Sequence, residues 1–400
     1  MSSIALISKY ALAPNSGTSS RLYELSKIFL EEFETVELIT SLSCGHNLDL
    51  SEYKEFDKFY FKKCEKKINH IILKGPKINY GLNLKRVYTW VQFEIELYRY
   101  LKNKKYKMVF ISSLSLFTTL NGFILKKRGS IFIFDIRDIW PLTIKEINPV
   151  LNIFSYLPLK IFEIIGLKYS DKIVSGLYNF DHYLRDYHPK YLEKYIYLPQ
   201  IIKVNSSQFS NKHRAKKDLV NLCYCGTMGK VNGINDFLIL LSTINIPNKI
   251  KFYFIGKGIE YKKLKTSFES NSIKFLPHMK EEDLSFFMTE KNAIGLHFIR
   301  DLNIYKYGLT PNKWRFYHEN GIPIMVFSNN PTIINDNTGY AYKFNKAGVD
   351  LFINDFYSNQ FSAENRYSRM MNLNEYLKKK MNIESQIRIL LSKTLLKSNK

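Results

Sequence analysis

The chain has 400 residues, of which 45% are hydrophobic and 24% are charged, and its formal net charge is +23. This length predicts two domains of ordinary size, and this apolar content argues against an intrinsically disordered chain. No apolar run reaches the roughly 18–20 residues that span a bilayer, and the first residues lack a small-residue cleavage site, so we expect neither a transmembrane helix nor a signal peptide.

The first half of the chain alternates short apolar runs with amphipathic stretches. This alternation predicts parallel βαβ units and a doubly wound sheet. The predicted strands are 4–8, 36–40, 108–112, 131–134, 172–175 and 195–198. The predicted helices lie near 19–32, 84–103, 115–127, 150–170 and 178–187.

Residues 84–107 combine aromatic and aliphatic side chains with Lys and Arg on one predicted helix. Such a helix could lie against an anionic membrane. A domain helix with a basic solvent face fits the same pattern, and Glu94 and Glu96 disfavour a purely anionic surface as its partner.

The alternation stops in a polar and basic stretch at 200–217 and then restarts. The second set of strands is 219–225, 250–255, 273–276, 293–298 and 324–327, with helices at 234–244, 258–270, 280–289 and 311–320. We therefore expect an α/β protein of two doubly wound, Rossmann-like domains that face each other across a cleft. The predicted divisions are an N-terminal domain at 1–199, a linker at 200–217, a C-terminal domain at 218–365, and a helical segment at 366–400 that packs back toward the N-terminal domain.

Three segments of the second half resemble phosphate sites. A glycine-rich turn, GTMGKVNG, joins a strand to a helix at 226–233, and the next strand ends in Gly256-Lys257-Gly258. Thr310-Pro311-Asn312-Lys313 predicts a helix with Thr310 as N-cap and Pro311 in the first turn, ending at Gly321. Free N–H groups and a lysine at such a start favour a bound phosphate, although an ordinary capped helix explains this segment equally well. Alone, the glycine-rich turn is explained better by a plain βα turn that needs glycine.

The order of these segments resembles the donor domain of family 4 glycosyltransferases of the GT-B fold. The matching motifs are CGTMGKVNGINDF, FIGKGIEYKKL and TPNKWRFYHENGIP. In the first half, SGTSSRLYELSKIFL resembles the first glycine loop and helix of the family, and FIFDIRDIWP resembles a branch that builds bacterial surface polysaccharides. YSDKIVSGLYNFDHYL and YLPQII match elements that precede the interdomain linker, so the resemblance covers nearly the whole chain.

The resemblance implies a retaining transfer of a sugar from a nucleotide-diphosphate sugar to a glycan or lipid-linked acceptor in capsule or O-antigen type synthesis. Lys313 and the start of helix 311–320 would meet the leaving diphosphate, with Lys230 or Arg315 as a second charge. No cofactor and no metal would be needed. The candidate donor-binding residues are Gly17, Thr18, Gly226, Thr227, Lys230, Gly256, Gly258, Thr310, Pro311, Asn312, Arg315 and Glu319.

Asp135, Arg137 and Asp138 follow the predicted strand 131–134, at its carboxyl end. We expect Asp138 to be catalytic, because a carboxylate there could orient or deprotonate an acceptor hydroxyl, and Arg137 and Trp140 to bind the acceptor. The alternatives are a loop ion pair of Arg137 with either acid and a Trp140 that only packs.

The chain departs from the family at two places. Where the family has two glutamates eight residues apart, the second holding the donor ribose, this chain has Gly308 and Phe316. Glu319 lies one turn after Phe316 and could substitute. The family's Arg and Lys in the glycine turn are Thr227 and Asn232 here. These departures leave a second hypothesis open, a catalytically impaired homologue that acts as a partner or scaffold in polysaccharide assembly.

The net charge permits a nucleic acid, an anionic membrane or phosphorylated substrates as partners. Lys, Asn, Ile and Tyr are abundant throughout the chain, which indicates a compositional bias, and no nucleic-acid-binding motif is present, so we do not expect nucleic acid. The cysteines and histidines lack the spacing of a metal site or disulfide framework. We expect Cys223 and Cys225 to be small core residues on one strand face. The expected location is the cytoplasm, with peripheral contact at the inner membrane as an option.

Overall fold

The computed structural model describes residues 2–11, 21–44, 50–76, 84–113, 116–147, 149–200, 219–309 and 311–395. The chain forms two compact units, the first made of Met1–Ile201 and Ile383–Lys400 and the second of Ile202–Asn382. Apart from Gln200, the predicted linker lies outside the described residues.

The first unit is a nine-stranded sheet with helices. Its strands are β1 (Ser3–Ile7), β2 (Thr35–Ser41), β3 (Lys54–Asp57), β4 (Tyr60–Glu65), β5 (Ile68–Leu73), β6 (Met108–Ser113), β7 (Ile131–Ile136), β8 (Lys172–Ser175) and β9 (Tyr195–Tyr197). Its helices before the second unit are α1 (Arg21–Phe29), α2 (Leu84–Leu101), α3 (Thr119–Lys127), α4 (Trp140–Ile147), α5 (Pro149–Tyr169) and α6 (Phe180–Tyr187).

The strand order of this sheet is β3-β4-β5-β2-β1-β6-β7-β8-β9. Strands β1, β2 and β5 to β9 are parallel, while β3 and β4 add an antiparallel edge. The central strands β1 and β6 are buried along almost their whole length, because helices cover both faces of a parallel sheet. This explains why they are continuous apolar runs in the sequence.

The second unit is a six-stranded, fully parallel sheet with the order β12-β11-β10-β13-β14-β15. Its strands are β10 (Val220–Cys225), β11 (Ile250–Ile255), β12 (Ile273–Leu276), β13 (Ile294–Ile299), β14 (Ile324–Ser328) and β15 (Tyr340–Tyr342). Its helices are α7 (Ile234–Leu241), α8 (Tyr261–Phe268), α9 (Glu281–Glu290), α10 (Asn312–Glu319), α11 (Lys346–Tyr357) and α12 (Ala363–Lys380).

The two faces of this second sheet carry different cores. One face is aromatic, with Tyr224 and Phe237 each stacked on Phe298. Cys223 and Cys225 are buried on the other face, against α10, as expected for small core residues. The prediction of two doubly wound α/β units is confirmed.

The chain returns to the first unit at its C-terminal end. Helix α13 (Ile383–Leu395) buries Ile387, Leu390 and Leu391 in the core that contains β1 and β6. Helix α12 belongs to the second unit, so the predicted helical segment 366–400 contains parts of both units.

Candidate functional site

The predicted phosphate-binding helix is α10, and it begins one residue later than predicted. Pro311 occupies the N-cap position with extended backbone (φ −68°, ψ 130°), and its carbonyl accepts the Trp314 N–H at 3.1 Å. Thr310, the predicted N-cap, lies outside the described residues. A proline has no N–H to lose, so it suits this end of a helix, where N–H groups have no intrahelical partner.

The other end of α10 matches the glycine prediction. Gly321 has a φ of +66°, its N–H donates to the His318 carbonyl at 3.0 Å, and the Ile322 N–H donates to the Tyr317 carbonyl at 2.8 Å. This pair of bonds is a Schellman motif, which requires a left-handed residue and therefore favours glycine. Both ends of α10 are thus fixed by local sequence.

Lys313, in the first turn of α10, is partly buried beside the end of β10. Its Nζ lies 3.9 Å from the centre of the Tyr224 ring and 3.7 Å from the point that a β-carbon would occupy at Gly226. Burial lowers the pKa of Lys313 to about 8, although a negative charge on Cys225 would oppose this shift. Among the described residues, Lys313 has no hydrogen bond or ion pair. Within the described residues, the π-face of Tyr224 is therefore the group that stabilises this cation.

The glycine turn after β10 is joined to the turn after β11 by backbone contacts. The Gly226 N–H donates to the Ile255 carbonyl at 3.0 Å, and the Met228 N–H donates to the Lys257 carbonyl at 2.9 Å. Because the turns are this close, a β-carbon at Gly256 would lie 1.9 Å from the Gly226 oxygen, and one at Gly258 would lie 2.2 Å from the Met228 oxygen. Loop packing alone requires both glycines.

The first of these turns is also held by two side chains. The Tyr224 hydroxyl donates to the Thr227 carbonyl at 2.9 Å, and the Asn232 amide donates to the same oxygen at 2.7 Å. Gly226 and Thr227 themselves are exposed. The turn is thus held in one conformation next to Lys313, with its backbone open to a ligand. Lys230 lies in the 3-10 turn Lys230–Asn232, and its side chain is outside the described residues.

Arg315 and Glu319 are paired with each other. The Arg315 guanidinium is buried and lies 3.8 Å from the Glu319 carboxylate and 3.8 Å from the Glu281 carboxylate. Two carboxylates therefore offset its charge, in contrast to Lys313. Phe316 is only 6% exposed and packs in the core against the ring of Tyr317. The position where the family has a ribose-binding glutamate is thus a core position here.

Two buried polar atoms near Lys313 have no hydrogen-bond partner among the described residues. They are Nδ1 of His297, on β13, and Nε1 of Trp314, whose rings lie 5.5 Å apart. Burial lowers the pKa of His297 well below its usual range, and the charge of Lys313 lowers it further, so the imidazole is neutral. The sequence allows His297 to approach the donor site but favours a structural role, because a lone His near an apolar strand is more often structural, and it does not point to Trp314.

In the first unit, the carboxyl end of β7 carries a buried ion pair that was not predicted. Asp135 Oδ2 accepts from Arg21 at 2.6 Å and from the Ser112 hydroxyl at 2.7 Å, while Arg21 also donates to the Leu198 carbonyl at 2.8 Å. Burial lowers the pKa of Arg21 to about 10, and Asp135 opposes the shift. The pair joins α1, β6, β7 and the residue after β9, which is a structural role.

The alternative of an ion pair between Arg137 and either aspartate is wrong within the described residues, because Arg21 takes Asp135. Arg137 and Asp138 have no ion pair with any described residue, and Asp138 is exposed. Although Asp138 is exposed at its surface, protein atoms around the carboxyl displace part of its water and raise its pKa, and Arg137 opposes this shift. Both side chains are therefore available to a ligand.

Trp140 begins α4 and packs edge-on against Trp90, with ring centres 6.1 Å apart. Its Nε1 atom is buried and has no partner among the described residues. Gly17 and Thr18 lie outside the described residues. The structure therefore gathers Gly226, Thr227, Gly256, Gly258, Pro311, Asn312 and Lys313 at one edge of the second sheet, and Asp135, Arg137, Asp138 and Trp140 at one edge of the first.

No protein-family model matches the sequence, and no curated protein matches it at a significant level. No helix in the described ranges is long and apolar enough to cross a membrane, and those ranges contain no group of three or more His, Cys, Asp or Glu side chains suited to a metal ion.

Solved structures resemble the chain along its whole length. Sucrose-phosphate synthase from Thermosynechococcus elongatus has a TM-score of 0.71 at 12% identity, covering 100% of both chains. The lipopolysaccharide outer core galactosyltransferase WaaB has a TM-score of 0.61 at 12% identity, covering 99% of each chain. HepE from Anabaena, in complex with UDP and glucose, has a TM-score of 0.62 at 10% identity, covering 98% of this chain and 100% of its own. At these identities the likeness concerns the fold, and the protein has the GT-B fold that the sequence motifs implied.

Proposed function

We propose that this protein is a glycosyltransferase that moves a sugar from a nucleotide-diphosphate sugar to a glycan acceptor. The observation that carries the proposal is Lys313, a cation without an anionic partner among the described residues, beside an open glycine turn and the start of α10. A diphosphate would supply the missing negative charge. Structural neighbours include transferases, one of them in complex with UDP and glucose, which supports a donor of this class.

The proposed mechanism is a retaining transfer. As the bond to the sugar breaks, negative charge grows on the leaving diphosphate, and Lys313 together with the first N–H groups of α10 would stabilise it. The glycine turn beside them is held in place before the donor arrives, since Tyr224 and Asn232 both donate to the Thr227 carbonyl. Basic groups would do this work without a metal ion. Asp138 would orient or deprotonate the acceptor hydroxyl, with Arg137 and Trp140 beside it.

The proposed biological role is the synthesis of a bacterial capsule or O-antigen type polysaccharide, on a lipid-linked acceptor at the cytoplasmic face of the inner membrane. The DIRDIWP segment supports this role, as does the likeness to WaaB and to WaaG, a glycosyltransferase involved in lipopolysaccharide biosynthesis.

The test is the release of nucleotide from a panel of sugar donors, measured by mass spectrometry. With an active donor, Lys313→Ala should lower kcat/KM by roughly 30- to 150-fold, which corresponds to about 2–3 kcal/mol of lost transition-state stabilisation. Lys274→Ala removes an exposed lysine from β12 of the same unit and should leave turnover unchanged. Equal activity of the Lys313→Ala variant and the wild type would remove Lys313 from the proposed mechanism.

A second candidate function is that of an impaired homologue that serves as a partner or scaffold in polysaccharide assembly. Phe316 favours it, because this buried ring occupies the place of the ribose-binding glutamate and Glu319 is paired with Arg315. If no donor in the panel is bound or hydrolysed while a partner enzyme co-purifies, this second function replaces the first.

A further inference from the structure

The outer face of three helices in the first unit is apolar. On α2, Tyr88, Val91, Ile95 and Tyr98 are exposed at spacings of three, four and three residues, which place them on one side of the helix. Leu120 of α3 and Leu157, Ile161 and Ile164 of α5 are also exposed. We call these eight side chains the apolar helix face.

The three helices are direct neighbours, so their exposed residues form one surface. Glu94 of α2 accepts hydrogen bonds from Thr118, just before α3, at 2.6 Å and from Asn121 of α3 at 2.9 Å. The Thr119 hydroxyl of α3 donates to the Phe162 carbonyl of α5 at 2.9 Å. Because Glu94 points at α3, the row of exposed apolar residues on α2 lies on the side of α2 that adjoins α3. Exposed apolar side chains in one patch of this kind mark an interaction site.

The exposed charged side chains of these three helices have one sign. Helix α3 has no acidic residue, and the acidic residues of α2 and α5 are engaged: Glu94 as above, Glu96 with Arg99 at 2.8 Å, and Glu163 buried against Lys160 and Tyr183. The described residues of the three helices therefore present no exposed carboxylate.

Exposed cations lie at the C-terminal ends of the same helices. They are Arg99 and Lys102 for α2, Lys127 and Arg128 for α3, and Lys168 for α5. Each helix connects one parallel strand to another, so the helices run in the same direction and their cations share one end of the layer. The surface thus has an apolar centre and, at one end, a cationic border.

We propose that the apolar helix face binds the surface of a lipid bilayer that contains anionic lipid. The apolar side chains enter the boundary between headgroups and acyl chains, and the border cations contact lipid phosphates. A second copy of this chain is disfavoured as the occupant, because it would bring two strongly basic proteins together. This inference does not depend on the proposed transferase activity.

The experiment is co-sedimentation of the full chain with vesicles of phosphatidylcholine alone or mixed equally with phosphatidylglycerol. The wild type should bind the mixed vesicles, and added salt should weaken this binding. The double variant Ile95→Glu with Ile161→Glu should bind at least tenfold less, because it places two charges in the apolar centre. Ile239→Glu is the matched control, since Ile239 on α7 has the same exposure, 49% against 47% and 48% for Ile95 and Ile161.

A second double variant tests the border. Lys127→Gln with Lys168→Gln should weaken binding to the mixed vesicles by roughly tenfold or more, since each cation near an anionic surface contributes roughly a fivefold effect. Unchanged circular dichroism and melting would show that the variants remain folded, as expected at exposed positions.

Three results would overturn the proposal. One is no binding to mixed vesicles, or binding equal to that of phosphatidylcholine alone. Another is an equal loss in the Ile239→Glu control. The third combines two observations: light scattering shows a dimer that the double variant Ile95→Glu with Ile161→Glu converts to monomer, and vesicles bind neither form. The occupant of the apolar helix face would then be a second copy of this chain.

Discussion

Lys313 is charged at a place where its charge lowers stability. Its pKa in the folded protein is about 8, against an ordinary value of 10.5, so burial disfavours the charged form by about 3 kcal/mol. The contact with the Tyr224 ring offsets only about 1 kcal/mol of this unfavourable free energy. A buried charge that lowers stability and has no ionic partner is typical of a ligand-binding group, because function is often gained at the expense of stability.

We therefore predict that Lys313→Met raises the free energy of unfolding at pH 7 by about 1–2 kcal/mol in the absence of nucleotide, while donor turnover falls. Urea unfolding with the methionine variant and the wild type side by side measures the first effect. Lys274→Met, on an exposed site of β12, should change neither quantity. A less stable Lys313→Met protein would mean that the lysine has a structural role.

The same pKa predicts two pH dependences. Donor kcat/KM should decline as the pH rises through about 8, because the free enzyme then loses the proton of Lys313. The stability gained in Lys313→Met should be full below pH 8 and should fade between pH 8 and 10.5, where the unfolded chain still binds the proton and the folded protein does not. Lys313→Arg keeps its charge, so its activity profile should lack the decline near pH 8. If the activity of Lys313→Arg declined near pH 8 as in the wild type, another titrating group would cause the decline.

The site residues illustrate what a sequence can predict at this scale. Lys313 and Gly321 were found because their roles depend on neighbours in the chain, namely a helix start and a left-handed helix end. The buried pair of Arg21 and Asp135 was missed, since its members are 114 residues apart and Arg137 was the nearer candidate in sequence. Contacts between distant elements leave no local pattern to read.

At the scale of elements, the turns after β10 and β11 act as one unit. Their backbones are bonded to each other, and the close approach excludes a β-carbon at Gly256 and Gly258. This packing fixes the turn beside Lys313, so the geometry of the proposed donor site depends on a second loop that need not touch the donor.

We predict that Gly256→Ala destabilises the protein by about 3 kcal/mol and weakens donor binding. Its φ of +154° strains an alanine, and its β-carbon would meet the Gly226 carbonyl oxygen at 1.9 Å. Gly129→Ala is the control: its φ is +93°, but no atom lies within 4 Å of the added carbon, so about 1 kcal/mol is expected. Thermal unfolding and a donor titration measure both effects. If Gly256→Ala and Gly129→Ala lost similar amounts of stability, the strained backbone rather than the contact between loops would cause the loss.

Several physical causes explain the elements that the sequence failed to predict. Strands β3, β4 and β5 lie in a stretch where Lys and Glu interrupt the apolar pattern, and β3 and β4 form an antiparallel edge that is only partly buried. Strand β15 has only three residues, and α4 begins at Trp140, inside the DIRDIWP segment, where the sequence pattern predicted no helix. The central strands were predicted correctly because burial on both faces forces a continuous apolar run.

At the scale of the whole molecule, the chain leaves the first unit near residue 201 and returns to it at residue 383. Helix α13 then completes the first core, where Leu390 is fully buried among side chains that include Ile4 and Leu6 of β1. The first unit is therefore not a continuous stretch of sequence, and its stability depends on residues that follow the second unit in the sequence. Strand and helix patterns predict each unit, but they cannot tell which sheet a terminal helix covers.

This arrangement predicts that Leu390→Ala loosens the first unit selectively. Removal of a fully buried leucine side chain should cost about 2–5 kcal/mol, while Ile389→Ala, at a position that is 36% exposed, should cost under about 1 kcal/mol. Hydrogen exchange followed by mass spectrometry resolves the effect by unit. Amides of β1 and β6 should exchange faster in Leu390→Ala, while those of β10 and β11 keep their rates, because the core around Leu390 contains residues of the first unit alone. Faster exchange confined to β10 and β11 would contradict the placement of α13, and equal acceleration in both sheets would show that the two units unfold as one.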